Sequence, residues 1–307
     1  MIGAGPAGLA ATLNLARAHR SVALLDANRP RHAATLVSHG FITRDGTPPL
    51  ELRSMGREEV LQYSTVHYEK TIVHSITPVG DKFMVIAKRQ GSAEQSEIRA
   101  SAVLLATGLT ETLPVAQMVR PWYGTSLHSC MDCDGFDKRG QKLVLIGEMH
   151  DLAMRALVVS RHTDDLLVCT NGSDVLSESD EAMLRERGIK IARGKIEAIE
   201  GDRGGMQAVV VDGERFERTA GFVRPEWHAP LGYAEGLELE LDEHGLVIVD
   251  TKQRTSRQGV FAAGDITPGF RQIAVAAGEG TIAASVINRM LIEREVMGTH
   301  RSSPLTA

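Results

Sequence analysis

Apolar positions in this chain fall into two kinds of run. Short continuous runs read as strands: Ser21-Val22-Ala23-Leu24-Leu25, Ala102-Val103-Leu104-Leu105-Ala106, Lys142-Leu143-Val144-Leu145-Ile146, Asp165-Leu166-Leu167-Val168 and Gly259-Val260-Phe261-Ala262-Ala263. Other apolar residues recur at helical spacing, through Leu9, Leu13 and Ala16, over residues 51–63, after Asp151, and along a small-residue stretch through Ala277, Gly280, Ala283 and Ala284. Residues 70–100 read as alternating strands with a turn at Gly80-Asp81, and Pro30 to Pro49, rich in Arg, His, Gly and Pro, reads as a long loop. The strand–helix–strand order near the start returns from Lys142 onward. That is an internal repeat of nucleotide-binding type and predicts an α/β fold.

The first unit carries the stronger ligand signal. Gly3-Ala4-Gly5-Pro6-Ala7-Gly8 is a G-x-G-x-x-G turn opening a helix, where glycines let backbone amides approach a pyrophosphate. The next strand ends in Asp26, at the spacing of an acid that binds ribose hydroxyls. The strand due before Gly3 is reduced to Met1 and Ile2, so the expectation is a truncated start or a short, frayed strand. In the loop that follows, Arg31, His32, His39 and Arg44 are candidates for cofactor phosphate contacts, with a solvated loop role as the alternative for each. Thr107 and Gly108 end a buried strand in a small-residue turn that can press against a flat ligand. Gly264-Asp265 follows the last strand, and Arg271-Gln272-Ile273 starts the final helix; Asp265 suits a ribityl hydroxyl, and the helix-start amides suit a flavin carbonyl.

The second unit is poor in such chemistry. Gly147-Glu148-Met149-His150-Asp151-Leu152 keeps one glycine and places bulky side chains where a pyrophosphate would lie. Thr170-Asn171-Gly172-Ser173 has neither a ribose-binding acid nor an arginine pair, so a conventional NAD(P)H site is not expected.

Candidate reaction chemistry sits at Cys130-Met131-Asp132-Cys133-Asp134-Gly135. A C-x-x-C has three readings: a redox dithiol, half of a zinc site, or chance. Zinc needs further ligands, whereas the remaining cysteine, Cys169, stands alone with no paired histidines nearby, so no metal is assigned. Dithiol exchange also needs a proton carrier, and Asp134 is the candidate, with a turn role as its alternative.

Length, composition and charge narrow the class. The 307 residues are 43% hydrophobic and 24% charged, as in a globular protein of two ordinary domains. A formal net charge of −5 and the absence of a basic block argue against nucleic acid or an anionic membrane as partner. No secretory signal or spanning apolar run is visible, and three cysteines make no disulfide framework, so a cytoplasmic location is expected.

In combination and order, the Gly3–Gly8 turn, Ala106-Thr107-Gly108, Cys130-x-x-Cys133-Asp134-Gly135, Gly264-Asp265 and Arg271-Gln272-Ile273-Ala274 resemble the low-molecular-weight thioredoxin reductase family. The resemblance implies two interleaved Rossmann-like, three-layer nucleotide-binding domains. FAD would be held by a discontinuous domain of residues 1–112 and 240–307, and the dithiol carried by residues 113–239. It implies Cys133 facing the flavin, Cys130 exchanging with substrate and Asp134 as acid/base, in a homodimer whose domains rotate. Partners would be a thioredoxin-like protein or a small-molecule dithiol or disulfide. Typical members also carry a glycine-rich NADPH turn and an His-Arg-Arg stretch, which are missing here. The loop His39-Gly40-Phe41-Ile42-Thr43-Arg44-Asp45-Gly46 instead resembles the flavin-dependent dithiol oxidases, while Asp134 resembles the reductases. Trp227-His228-Ala229-Pro230 matches the reductase stretch at His228 and Pro230 but not at Trp227. The expected activity is FAD-dependent dithiol/disulfide oxidoreduction without conventional NADPH binding. The alternatives are an NADPH-dependent thioredoxin reductase and a non-catalytic flavin-binding module.

Overall fold

The computed structural model describes residues 1–92 and 94–301, with side chains described as far as residue 297. The chain divides into two compact units: Met1–Arg31, Leu50–Thr110 and His228–Ala307 form the first, His32–Pro49 and Glu111–Trp227 the second.

In the first unit, strand Val22–Asp26 pairs in parallel with Val66–Val79, and Val103–Leu105 pairs in parallel with Val260–Ala262. Ile2 joins the two pairs by parallel bridges to Leu25 and Leu105. The short strand expected before Gly3 is thus a single bridging residue, and its side chain is buried in the core with Leu25, Leu105 and Val260. Strands Val66–Val79, Lys82–Arg89 and Gln95–Ala100 continue as an antiparallel ribbon. Helix Pro6–Arg17 packs its Ala7, Ala11 and Leu15 against Ala276, Ala283, Ala284 and Ile287 of the closing helix Ile273–Arg301.

The second unit centres on a five-stranded parallel sheet in the order Lys190–Ala192, Leu166–Cys169, Leu143–Gly147, Ala220–Arg224, Leu127–His128. Its central strand is apolar throughout because both faces are covered. Leu143 and Leu145 meet helix residues Leu152, Ala156 and Leu184 on one side, while Val144 and Ile146 meet Ile196, Val209 and Val211 of a three-stranded antiparallel sheet on the other.

Two expectations shift. The chain returns to the first unit at His228 rather than at 240, because Leu231, Tyr233, Ala234 and Leu237 pack into the core around Ile76 and Val247. Residues 32–49 belong to the second unit, where they carry their own turns: the Ser38 amide donates to the Thr47 carbonyl and the Gly46 amide to the Ser38 carbonyl, and Ala34 closes on Gly124 so tightly that a Cβ on that glycine would lie 1.9 Å from the Ala34 carbonyl oxygen.

Candidate functional site

The glycine turn of the first unit is built for backbone approach. Gly3 has φ +106° and lies so close to Ala106 that a Cβ would stand 2.3 Å from its carbonyl oxygen; a Cβ on Gly8 would stand 1.9 Å from the Gly3 carbonyl. Gly5 caps the twelve-residue helix Pro6–Arg17 without a side-chain bond, and a Cβ on it would meet nothing within 4 Å. No side chain caps the first-turn amides, which carry the partial positive charge of a helix start. Such a turn fits a pyrophosphate.

Around it the candidate residues are held by partners that the sequence alone did not single out. Asp26, buried, accepts from the Ala4 amide at 3.3 Å, from Tyr68 Oη at 3.4 Å, and from Arg53. Arg53 also donates to the Ala4 carbonyl at 3.0 Å and to Asn28 Oδ1 at 2.6 Å, so one guanidinium ties the turn to the strand end. Arg31 pairs with Asp265 at 2.6 Å rather than standing free for a phosphate. Gly264 has φ +80°, and its amide donates to Glu279 Oε2 at 2.6 Å; burial holds the Glu279 carboxyl above the usual range. Thr107 Oγ1 and Tyr233 Oη are 3.1 Å apart, and burial pushes the Tyr233 hydroxyl well above its ordinary value. Gly108, at φ +63°, meets nothing within 4 Å of a built Cβ, Arg271 and Gln272 precede the closing helix, and Ile273 is its first residue.

In the second unit Cys130 and Cys133 form a disulfide with Cα atoms 5.3 Å apart. Cys130 is the N-cap of the single turn Met131–Asp134, and its Sγ accepts from the Cys133 amide at 3.1 Å. The turn closes on Gly135, where a Cβ would strike His162 Nε2 at 2.4 Å and the Met131 carbonyl oxygen at 2.5 Å, so only glycine fits. Burial pushes the Asp134 carboxyl up to about 6, opposed by the positive charge of Lys138 and His39. Lys138 is itself buried, donates to the Thr125 carbonyl at 3.3 Å, and is lowered by burial. His128 places Nε2 3.4 Å from Asp134 Oδ1, and burial brings its ring down to about 4.

His39, a candidate for cofactor contact, lies in the second unit: its Nε2 is 3.0 Å from Asp137 Oδ2 and its Nδ1 3.4 Å from Asp45 Oδ2. It links the 38–47 loop to the chain just after the dithiol turn. Cys169 is a buried sheet residue whose thiol burial pushes up to about 12, which leaves it inert. Among the described residues no group of three His, Cys, Asp or Glu side chains is arranged to hold a metal.

The second nucleotide-type turn is lined by side chains that pair with one another. Helix Leu152–Val159 starts behind Asp151, whose carboxylate accepts from Arg155 Nε at 2.7 Å and from Arg224 Nε at 2.9 Å. Arg224 lies 4.3 Å over the Trp227 ring. A Cβ on Gly147 would lie 2.6 Å from Leu152 Cδ1 and 2.8 Å from Arg224 Cβ. At the next strand end, Asn171 donates to Glu148 Oε1 at 2.6 Å and accepts from the Ile196 amide at 3.0 Å, joining the ends of the two strands.

Sequence reasoning passed over His128, Lys138, Arg53 and Glu279. Arg53 and Glu279 lie on helices far along the chain from the loops they hold, and no local spacing reports them. His128 carried a usable signal, since a histidine two residues before a C-x-x-C is a titratable group close to a reacting sulfur.

A glycine-turn dinucleotide cradle in one unit and a capped disulfide with a raised carboxyl in the other are the equipment of a flavoprotein oxidoreductase acting on sulfur groups, with a thioredoxin reductase-like fold. The chain belongs to the pyridine nucleotide-disulphide oxidoreductase family, which it matches over residues 1–280. A putative thioredoxin reductase from Bacillus anthracis has a crystal structure that superposes with a TM-score of 0.89 at 36% identity, covering 96% of this chain and 98% of that one. Thioredoxin reductase sirT of Leptosphaeria maculans is 28% identical over 305 residues, 94% of this chain and 92% of that protein. Thioredoxin reductase of Peptoclostridium litorale is 27% identical over 304 residues, 92% of this chain and 93% of that protein. The family implies FAD as the cofactor. Among the described residues no helix is long and apolar enough to cross a membrane.

Proposed function

We propose that this protein moves electron pairs between FAD and an external dithiol or disulfide through Cys130 and Cys133, and that it does so without NAD(P)H at its second nucleotide-type turn. The observation that carries the second half is Asp151. The Asp151 carboxylate just before helix Leu152–Val159 is tied to Arg155 and Arg224, so negative charge stands beside the turn where a pyrophosphate would lie, and the arginines that would attract one are already paired.

FAD would be held by the amides after Gly5, by Asp26 with Arg53, and by the Gly264-Asp265 turn; when bound it supplies two-electron storage. The protein supplies the exchange chemistry. An external thiolate attacks Cys130 Sγ and the Cys130–Cys133 bond breaks, which leaves a mixed disulfide and a Cys133 thiolate. Asp134 protonates that sulfur. A second substrate thiol then displaces Cys130, and a substrate disulfide and a reduced protein dithiol result. The Cys133 amide that donates to Cys130 Sγ favours negative charge on the exchanging sulfur. The natural partner is a thioredoxin-like protein or a small dithiol, and the names of the relatives support the first.

The test is anaerobic titration of the flavin-loaded protein with NADPH, NADH and a simple dithiol, following loss of oxidised-flavin absorbance. Bleaching by dithiol alone, abolished in Cys130→Ser with flavin still bound, is the expected result. Rapid bleaching by either nicotinamide would overturn the reading of the second unit and make the enzyme a conventional reductase. Turnover of external dithiol by Cys130→Ser would overturn the assignment of Cys130.

A further inference from the structure

His128 ends the two-residue edge strand Leu127–His128, which is held in parallel register by Gly221 and Phe222. That strand leads straight into the dithiol turn, so the ring position follows from the sheet. Its Nε2 is 3.4 Å from Asp134 Oδ1, and the two side chains are only 9% and 13% exposed. Among the described residues no backbone amide is one of the groups that shift the Asp134 carboxyl, and the cap of this turn is Cys130 Sγ. The other ring nitrogen, Nδ1, is buried without a well-formed hydrogen bond, and the Gly124 backbone is the acceptor that favours a proton on the ring. A carbonyl only accepts, so we assign the proton of the neutral ring to Nδ1, which turns the Nε2 lone pair toward Asp134.

We propose that His128 is a positioning residue that keeps a proton stored on Asp134: Nε2 accepts a hydrogen bond from the protonated carboxyl and holds it ready for the thiolate released when the Cys130–Cys133 bond opens. This rests on the dithiol reading above. The step is balanced within it. The electron pair of the broken bond leaves on Cys133, the Asp134 proton moves to that sulfur, and the carboxylate recovers the proton when the disulfide closes. His128 does not itself give up a proton in either direction.

The surrounding charges fit this order. Burial brings His128 down to about 4 and Asp134 up to about 6, so the shared proton belongs to the carboxyl rather than to the ring, the reverse of a charged histidine–aspartate pair. Lys138, from the turn beyond, lowers both groups, while His39 lowers Asp134 and Asp137 raises it. His162 packs on Gly135, and Asp132 lies in the turn itself. A neutral partner is the one kind that can fix the carboxyl without stripping its proton.

The test uses the flavin-loaded protein in its disulfide form, with carboxyl-carbon NMR following the Asp134 titration in wild type, His128→Phe and His128→Gln. Phenylalanine keeps the ring and removes Nε2. The acid form then loses its acceptor and the Asp134 midpoint falls by about one pH unit, with glutamine recovering most of the difference. The pH profile of thiol exchange with a small chromogenic disulfide moves by the same amount. An unchanged or raised midpoint in folded His128→Phe overturns the proposal. The imidazole nitrogen spectrum of wild type gives a second readout that needs no variant: a proton on Nε2 instead of Nδ1 also overturns it. If wild type exchanges no thiols while the midpoint still falls, the functional reading fails and the pairing stands.

Discussion

Two glycines of the closing helix should respond in opposite directions to the same substitution. Gly280 is buried where the helix crosses Pro6–Arg17, and a Cβ on it would lie 2.1 Å from the Ala7 carbonyl oxygen, 2.8 Å from its carbon and 2.9 Å from its Cα. All three are backbone atoms, which cannot swing aside as a side-chain tip can. Gly280→Ala gains about 1 kcal/mol of helix propensity. It loses more, since overpacking costs about 1–3 kcal/mol where neighbours can yield and here they cannot. The net is a destabilisation on the order of 2 kcal/mol, or about 4–8 °C in Tm at about 2–4 °C per kcal/mol. Ala7 is in the first turn of the helix whose amides face the proposed pyrophosphate, so flavin content should fall with it. Gly278 is exposed and its added Cβ meets nothing within 4 Å. Gly278→Ala keeps the propensity gain alone and should raise Tm by about 2–4 °C. Calorimetry and flavin content after gel filtration read both variants. If both melt on the same side of wild type, or Gly280→Ala keeps wild-type Tm and flavin, the close crossing of these helices is refuted.

Two further predictions concern buried charge. The Asp134 carboxyl titrates near 6 in the folded protein against 3.8 for the free group. The folded state therefore holds the proton more tightly, and its contribution to stability, complete below pH 3.8, is lost as pH rises through about 6. Relative to wild type, Asp134→Asn should gain on the order of 2–3 kcal/mol between pH 4 and pH 7 by denaturant titration; a flat difference would contradict the burial of this carboxyl. Arg53→Met leaves the buried Asp26 with only the Ala4 amide and Tyr68, and should cost about 3 kcal/mol and loosen flavin binding, with Asp26→Asn in the same chain recovering part of the loss. A loss under about 1 kcal/mol would mean that the pair is not desolvated.

Local chemistry made the site partly legible. The Gly3–Gly8 turn could be read because a close backbone approach tolerates only glycine, and the same rule explains Gly135 under His162. The C-x-x-C could be read because a disulfide across one helical turn needs that spacing. A basic loop residue such as His39 says nothing by itself about which unit its loop joins; its contacts with Asp45 and Asp137 decide that. The same holds for the return at His228, which depends on apolar residues finding the core around Ile76.

By itself the sequence determined the α/β class, the repeated nucleotide-binding pattern, the glycine turn, and the pair of cysteines with its following carboxyl, because each is imposed by residues close together in the chain. Only the tertiary structure decided which groups share a proton or a charge. Arg53 on Asp26, Asp151 between Arg155 and Arg224, and His128 against Asp134 join positions that folding alone brings together. The reason is physical. Desolvation and ion pairing act over a few ångströms of space regardless of chain separation, and these terms set whether a carboxyl keeps its proton and whether a helix start is open to an anion.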